Sequence, residues 1–232
     1  MIIYPAIDIL NKRSVRLFKG NYDKVTDYGQ PSDIVELFYK SGARYLHIVD
    51  LNGAKQETVN LDTIKMLLDQ DIFIELGGGI RSLEQAENYL KLGVNQIIIG
   101  TAAVKNPDLL SQLIDKYPDN LTVGIDAING MVAVEGWTDI SSISADEFIL
   151  QLETLGVKRV IYTDISRDGT LQGPNFDMYK RVINMSRIEI VASGGISCIE
   201  DLKKLKEIGL PGVVVGKALY EKKFTLEEAI LC

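Results

Sequence analysis

The chain has 232 residues, 25 of them basic and 32 acidic, for a formal net charge of −7, a balance that argues against nucleic acid or an anionic membrane as a general partner. Its two cysteines, Cys198 and Cys232, belong to no CxxC or Cys/His cluster; this argues against a disulfide framework or a structural zinc site and fits a reducing, cytoplasmic setting. No apolar run approaches the length of a membrane span, and no Pro, Gly or Ser-rich linker divides the chain, so one sizeable core is expected.

In chain order, MIIYPAIDIL reads as a buried strand over 2–8 and not as a signal peptide, because no basic leader precedes it and Asn11, Lys12 and Arg13 follow. Arg16 and Lys19 fall in the loop after it, where they could close over an anion or simply be solvated. Ile34, Leu37 and Phe38 have helical spacing. The strand at 45–50 carries His47, the sole histidine; with Ile48 and Asp50 taken as the inward set, alternation turns His47 away from the interior. Leu61, Ile64 and Leu68 mark a helix, and a strand at 72–76 runs into Gly77, Gly78 and Gly79. Ser82 and Gln85 have capping-box spacing before a helix that Gly93 ends, and a strand at 96–99 leads to Gly100 and Thr101. Pro107 opens a helix before the strand at 121–126. Ser144 and Glu147 cap a helix carrying Phe148, Leu152 and Leu155, which Gly156 ends. Strands at 158–164 and 188–192 follow, then Ser197 with Glu200 capping a helix that Gly209 ends, and a last strand at 212–215 before Gly216 and Lys217. Met66, Met131, Met178 and Met185 fall among apolar positions and read as packing residues.

Eight strands alternating with helices predict an α/β chain folded as one (β/α)8 TIM barrel over 1–232, with its chemistry at the C-terminal ends of the strands. The chain is also written twice. GGGIRSLEQAENYLKLGVNQIIIGTAAV at 77–104 returns, shifted by 116 positions, as SGGISCIEDLKKLKEIGLPGVVVGKALY at 193–220, and the strand-end aspartates Asp8 and Asp126 stand 118 apart. Two similar half-barrels, about 1–117 and 118–232, are therefore expected. Each half supplies a glycine-rich turn whose unobstructed backbone N–H groups suit phosphate: Gly79, Gly100 and Thr101 in the first, Gly194, Gly195, Gly216 and Lys217 in the second. Any one of these glycines alone would only permit a tight turn; their duplication at one offset points to an elongated ligand with an anion at each end. Its middle would lie between Asp8 and Asp126, as paired acid and base catalysis requires, although a lone strand-end aspartate can also be a simple cap. Asp50 and Asp164 read mainly as loop supports.

These residues resemble, over essentially the whole chain, the half-barrel-repeat enzymes of histidine biosynthesis. The matching pieces are PAIDIL with VRLFKG, HIVDLNGA at 47–54, GGGIR at 77–81, GIDAINGMVAVEGW at 124–137, YTDISRDGTLQGPN at 162–175, ASGGIS at 192–197 and GKALYE at 216–221. Together they match the phosphoribosylformimino-5-aminoimidazole carboxamide ribotide isomerases. The resemblance implies an Amadori rearrangement of an aminoaldose ribosyl phosphate to its aminoketose, on a small-molecule bisphosphate, with no cofactor and no metal. It casts Asp8 as general base, Asp126 as general acid and Thr163 as a group that positions the sugar. Trp137, the only tryptophan, could simply pack in its loop, but the GW match favours an indole stacked on the imidazole carboxamide; Arg81, where the second half has Ser197, either orients an asymmetric substrate or is an exposed helix-start arginine; Arg16 is a candidate to bind substrate and Gly173 to join the second phosphate site. The cyclase subunit of imidazole glycerol phosphate synthase shares the repeat, the aspartates and both phosphate sites, but resembles GYD where this chain has Gly173, Pro174 and Asn175. Dual-substrate isomerases carry an arginine where this chain has Glu135. A non-catalytic sugar-phosphate binder on the same scaffold is the reading from another class, and a monomer is the default.

Overall fold

The computed structural model describes residues 1–18, 20–55 and 58–232, so Lys19 lies outside the described residues. Twelve strands form one sheet: β1 (Ile2–Leu10), β2 (Arg13–Phe18), β3 (Asn21–Gly29), β4 (Tyr45–Asp50), β5 (Phe73–Gly77), β6 (Gln96–Ile99), β7 (Leu121–Ile128), β8 (Met131–Val134), β9 (Asp139–Ser144), β10 (Arg159–Asp164), β11 (Glu189–Ser193) and β12 (Gly212–Val215). Eight of them, in the order β1-β4-β5-β6-β7-β10-β11-β12, pair in parallel, and β12 closes back onto β1 through Ile2 beside Gly212. With helices packed outside, this is the expected (β/α)8 TIM barrel of the α/β class. No helix among the described residues is long and apolar enough to cross a membrane.

The remaining four strands are antiparallel and were not foreseen. The loops after β1 and β7 are hairpins, β2–β3 and β8–β9. The outer strands of both are mostly exposed or half-buried, so neither carries the run of apolar residues that marks a strand in sequence. Val15 and Leu17 pack on Leu51 and seat the first hairpin at the barrel mouth.

Most predicted caps form as spaced. Ser82 accepts from the Gln85 amide, Ser144 accepts from the Glu147 amide, and Pro107 takes a first-turn position. The cap expected at Ser197 and Glu200 lies one residue later: Asp201 accepts from the Ser197 and Cys198 amides and from the Ser197 hydroxyl, making Cys198 the N-cap. Met178 is buried as expected, whereas Met66 is mostly exposed.

Two apolar layers result. A large one lies between the sheet and the helices; a smaller one, of Tyr4, Ala6, Ile98, Ile161, Val191 and Val214, fills the barrel axis. Below it, the floor is polar. Glu75, fully buried, pairs with Arg159 Nη1 at 2.7 Å and with His47 Nδ1 at 2.6 Å. Arg159 also reaches Gln96 and Thr122, and its guanidinium lies 4.9 Å from the centre of the Tyr4 ring. Burial pushes the Tyr4 hydroxyl up to about 12.

Breaking such a pair leaves an uncompensated buried charge, worth about 3–5 kcal/mol, whereas replacing both partners by apolar groups is often neutral. Glu75→Ala is therefore expected to lower the urea midpoint by the equivalent of about 3 kcal/mol. The double variant Glu75→Met with Arg159→Met should recover most of that loss; equal midpoints for the single variant and the parent protein would show that the floor is not closed to water.

Candidate active site

Strand parity decides which side chains reach the mouth. Along β1 the inward set is Tyr4, Ala6 and Asp8; register places Ala6 beside His47 and Asp8 beside Val49 on β4, and Thr163 of β10 beside Asp126 of β7. Asp8, His47, Val49, Asp126 and Thr163 accordingly line one cavity of about 490 Å³ at the C-terminal ends of the strands, a size that suits an organic ligand. Asp8 and Asp126 stand on strands four apart in an eight-strand ring, directly across the mouth and on the same rim.

Asp126 is enclosed. Burial pushes its carboxyl above the usual carboxylate range, against the hydrogen bonds that it receives from the Trp137 and Thr163 side chains. Trp137 is brought to it by three successive residues in the left-handed region, Glu135 (φ 54°), Gly136 (φ 64°) and Trp137 (φ 73°). For the two non-glycine residues this conformation costs about 1–3 kcal/mol each and persists only where neighbours impose it. Here the Glu135 amide donates to Thr101 Oγ1 (2.9 Å), its carboxylate pairs with Lys105 (2.7 Å), and Thr138 Oγ1 donates to the Glu135 carbonyl (2.7 Å). The indole then lies so close to Gly20 that a Cβ there would collide with it.

The two glycine turns have the same backbone geometry. Gly79 and Gly195 take φ of 78° and 89°, and Gly100 and Gly216 take φ/ψ of −105°/−98° and −104°/−103°. Gly79 packs against the Gly53 carbonyl and Gly195 against that of Gly173, with no space for a side chain at either. Behind them, Asp50 accepts from Gly53 N and from Asn60, and Asp164 accepts from Ser166 and Asn175, so both aspartates hold loops.

The halves differ in what fills them. Gly79, Gly100, Thr101 and Arg81 open onto the large cavity, and Arg81 is turned to the carbonyls of Gly53, Gly79 and Ala54 at 2.9–3.0 Å. Gly195, Gly216 and Lys217 bound only about 20 Å³ together with Arg16, and the Lys217 ammonium is bonded to the Gly169 carbonyl. Gly173 does not line this space; its amide donates to the Gly195 carbonyl and supports the turn.

Two further residues belong to the site. His47 faces the cavity, the reverse of the sequence expectation, because Asp50 and Ile48 point outward to the helices while Val49 and His47 point in. Asp168, in the turn after β10, lines both cavities, and burial pushes its carboxyl up, helped by the nearby Asp8 and Asp126 and opposed by Arg16. The acidic residue of RDG at 167–169 was its only signal in sequence. Arg16 stays charged because Asp8 and Asp168 outweigh the burial that opposes its charge.

The sequence pattern of the histidine biosynthesis protein family matches residues 2–225. The chain belongs to that family. Among its relatives, proteins named 1-(5-phosphoribosyl)-5-((5-phosphoribosylamino)methylideneamino)imidazole-4-carboxamide isomerase are 46% identical in Thermoanaerobacter pseudethanolicus and 47% in Clostridium novyi, each alignment covering 99% of this chain and 98% of the relative. The protein of that name in Clostridioides difficile is 44% identical, over 99% of this chain and 97% of its own length.

Within this family's barrel, the raised carboxyls have a thermodynamic signature. A buried carboxyl that binds its proton more tightly folded than unfolded costs stability once it ionises. The loss sets in as pH rises from the unfolded value, near 3.8, through the higher folded value, and persists above it. Asp126→Asn and Asp168→Asn are each expected to raise the urea midpoint at pH 7, with the gain shrinking to nothing as the pH is lowered toward 4. A gain that is the same at both pH values would show that neither carboxyl is raised.

Proposed function

We propose that the chain is an aldose–ketose isomerase of histidine biosynthesis that carries out an Amadori rearrangement on the phosphoribosylamino group of a bisphosphate, converting the aminoaldose to the aminoketose (phosphoribulosyl) form. The observation that carries this reading is that Asp8 and Asp126 face each other across a single cavity, with a glycine turn of matched geometry in each half. The relatives' printed name supports the substrate: two phosphoribosyl groups joined through an imidazole carboxamide give an elongated ligand with a phosphate at each end.

In this mechanism Asp126, whose burial favours its protonated form, gives a proton to the furanose ring oxygen. The C1′–O bond breaks as the amine nitrogen forms a C=N bond, leaving an open-chain Schiff base. Asp8 takes the C2′ proton, and the resulting enolamine tautomerises to the ketone, so product and substrate are isomers. Thr163, beside Asp126 in register, holds the sugar hydroxyls, Trp137 covers the imidazole carboxamide, and the amides of Gly79, Gly100 and Thr101 take one phosphate while those of Gly195, Gly216 and Lys217 take the other. Arg81 and Arg16 add positive charge at either end. The enzyme acts as a monomer in the cytoplasm, with no partner subunit.

A specific observation favours one variation: Asp168 is as enclosed as Asp126 and also raised, so it is a second candidate for proton donor. Purified protein given the aminoaldose substrate, without ammonia or a glutaminase, should convert it. Asp8→Asn and Asp126→Asn should each lower kcat by roughly 10²–10⁴-fold with substrate affinity nearly unchanged. Turnover that persists in Asp126→Asn and fails in Asp168→Asn would move the acid role to Asp168, and product formed only with ammonia would make the protein a cyclase.

A further inference from the structure

The second glycine turn is filled by the protein itself. About 20 Å³ remains between Gly194, Gly195, Gly216 and Lys217, room for about one water and not for a phosphate. The occupant is the Arg16 guanidinium, which lies against Gly216 and leaves no space there for a Cβ. It is a poor occupant chemically. A guanidinium has only donors to offer and the turn presents amide donors, so the two cannot satisfy each other. Arg16 Nε, although buried, has no hydrogen-bond partner among the described residues. Asp8 makes the direct ion pair, its Oδ2 lying 3.0 Å from Arg16 Nη1, and the nearby Asp168 carboxyl adds to the attraction. The first turn, of the same backbone geometry, is open to the large cavity because its arginine, Arg81, is tied to carbonyls on the rim.

We propose that Arg16 is a positioning residue that works as a ligand-operated latch: it closes the second phosphate turn and holds Asp8, and a phosphate entering that turn draws the guanidinium away, opening the site and releasing Asp8 to accept a proton. The inference rests on the proposed function, from which the phosphate turns and the base role of Asp8 come. A phosphate brings acceptor oxygens to the amides and to the guanidinium at once, including the Nε that has no partner, and replaces the ion pair with Asp8 by a geometry that suits the planar fork. The backbone need not move. Arg16 sits on β2, held between Asp8 beside Val15 on one edge and β3 on the other, so rotation of its side chain is sufficient. Binding at one end of the ligand thereby readies the group that attacks its middle, and a substrate lacking that phosphate would lose kcat as well as affinity.

The test uses inorganic phosphate and ¹⁵N-labelled protein, with the amides of Gly195 and Gly216 reporting the second turn and those of Gly79 and Gly100 the first. In Asp8→Asn, where Arg16 has lost its direct ion pair and keeps only the nearby Asp168, phosphate should bind the second turn about fivefold more tightly than in the parent protein, the scale of one ion pair. Binding at the first turn should not change, and Asp8→Ser should behave like Asp8→Asn. In an Arg16→Met background the same Asp8→Asn change should leave second-turn affinity within about twofold. Equal gains with and without Arg16 would mean that Asp8 acts only through its charge, which overturns the latch and leaves the phosphate turns standing. Resonances of Gly195 and Gly216 that fail to move in any variant would remove the second phosphate site, and the latch with it.

Discussion

Closure of the eight-strand ring is the constraint on which everything else depends. Once β12 pairs with β1 and β10 with β7, each barrel strand has neighbours on both sides, and its alternation of inward and outward side chains is fixed by register. One residue of slip would exchange Asp8 for Ile7 and Asp126 for Ile125 at the mouth, and would send carboxylates into the apolar layer beneath the helices. The polar floor contributes to the same registration: Glu75 of β5 meets Arg159 of β10 and His47 of β4 only in this pairing.

On that frame, one plan is used twice and then made unequal. Asp50 with Asn60 and Asp164 with Asn175 brace equivalent loops, and Gly53 and Gly173 support equivalent turns. Each half places a hairpin after its first strand. The hairpins then diverge in what they deliver to the mouth. The first brings Arg16 down onto Asp8 and Gly216; the second brings Trp137 onto Asp126, held by the contacts of Glu135 to Thr101 and Lys105. Each aspartate is thus covered by the excursion that follows its own strand, one by a cation and the other by an indole. That difference separates a carboxylate in an ion pair from one that burial shifts toward its protonated form, the division of labour that acid–base chemistry on a single substrate needs.

The left-handed run at 135–137 and the filled second turn are both unfavourable features of the cavity wall. Backbone strain at Glu135 and Trp137, a buried guanidinium nitrogen without a partner, and two raised carboxyls all sit around one cavity. At the polar floor, Arg159 Nη2 is likewise buried without a hydrogen-bond partner among the described residues. Concentration of such unfavourable features at one place is what a site shaped for a ligand shows.

The order of elements, the barrel, the repeat and the opposed pair Asp8 and Asp126 were all legible in the sequence, because each depends on local periodicity, on glycine placement or on an offset that can be counted along the chain. The hairpins at β2–β3 and β8–β9 were not, since their outer strands meet solvent and need no apolar pattern. The facing of His47 was misjudged because alternation gives two phases and only pairing with β1 and β5 chooses between them. Asp168 and the seat of Arg16 lay beyond reach for a related reason: both depend on a turn or side chain meeting residues far away in sequence. Periodicity along a chain fixes which residues can share a face; only the closed sheet fixes which face looks inward and what fills the space there.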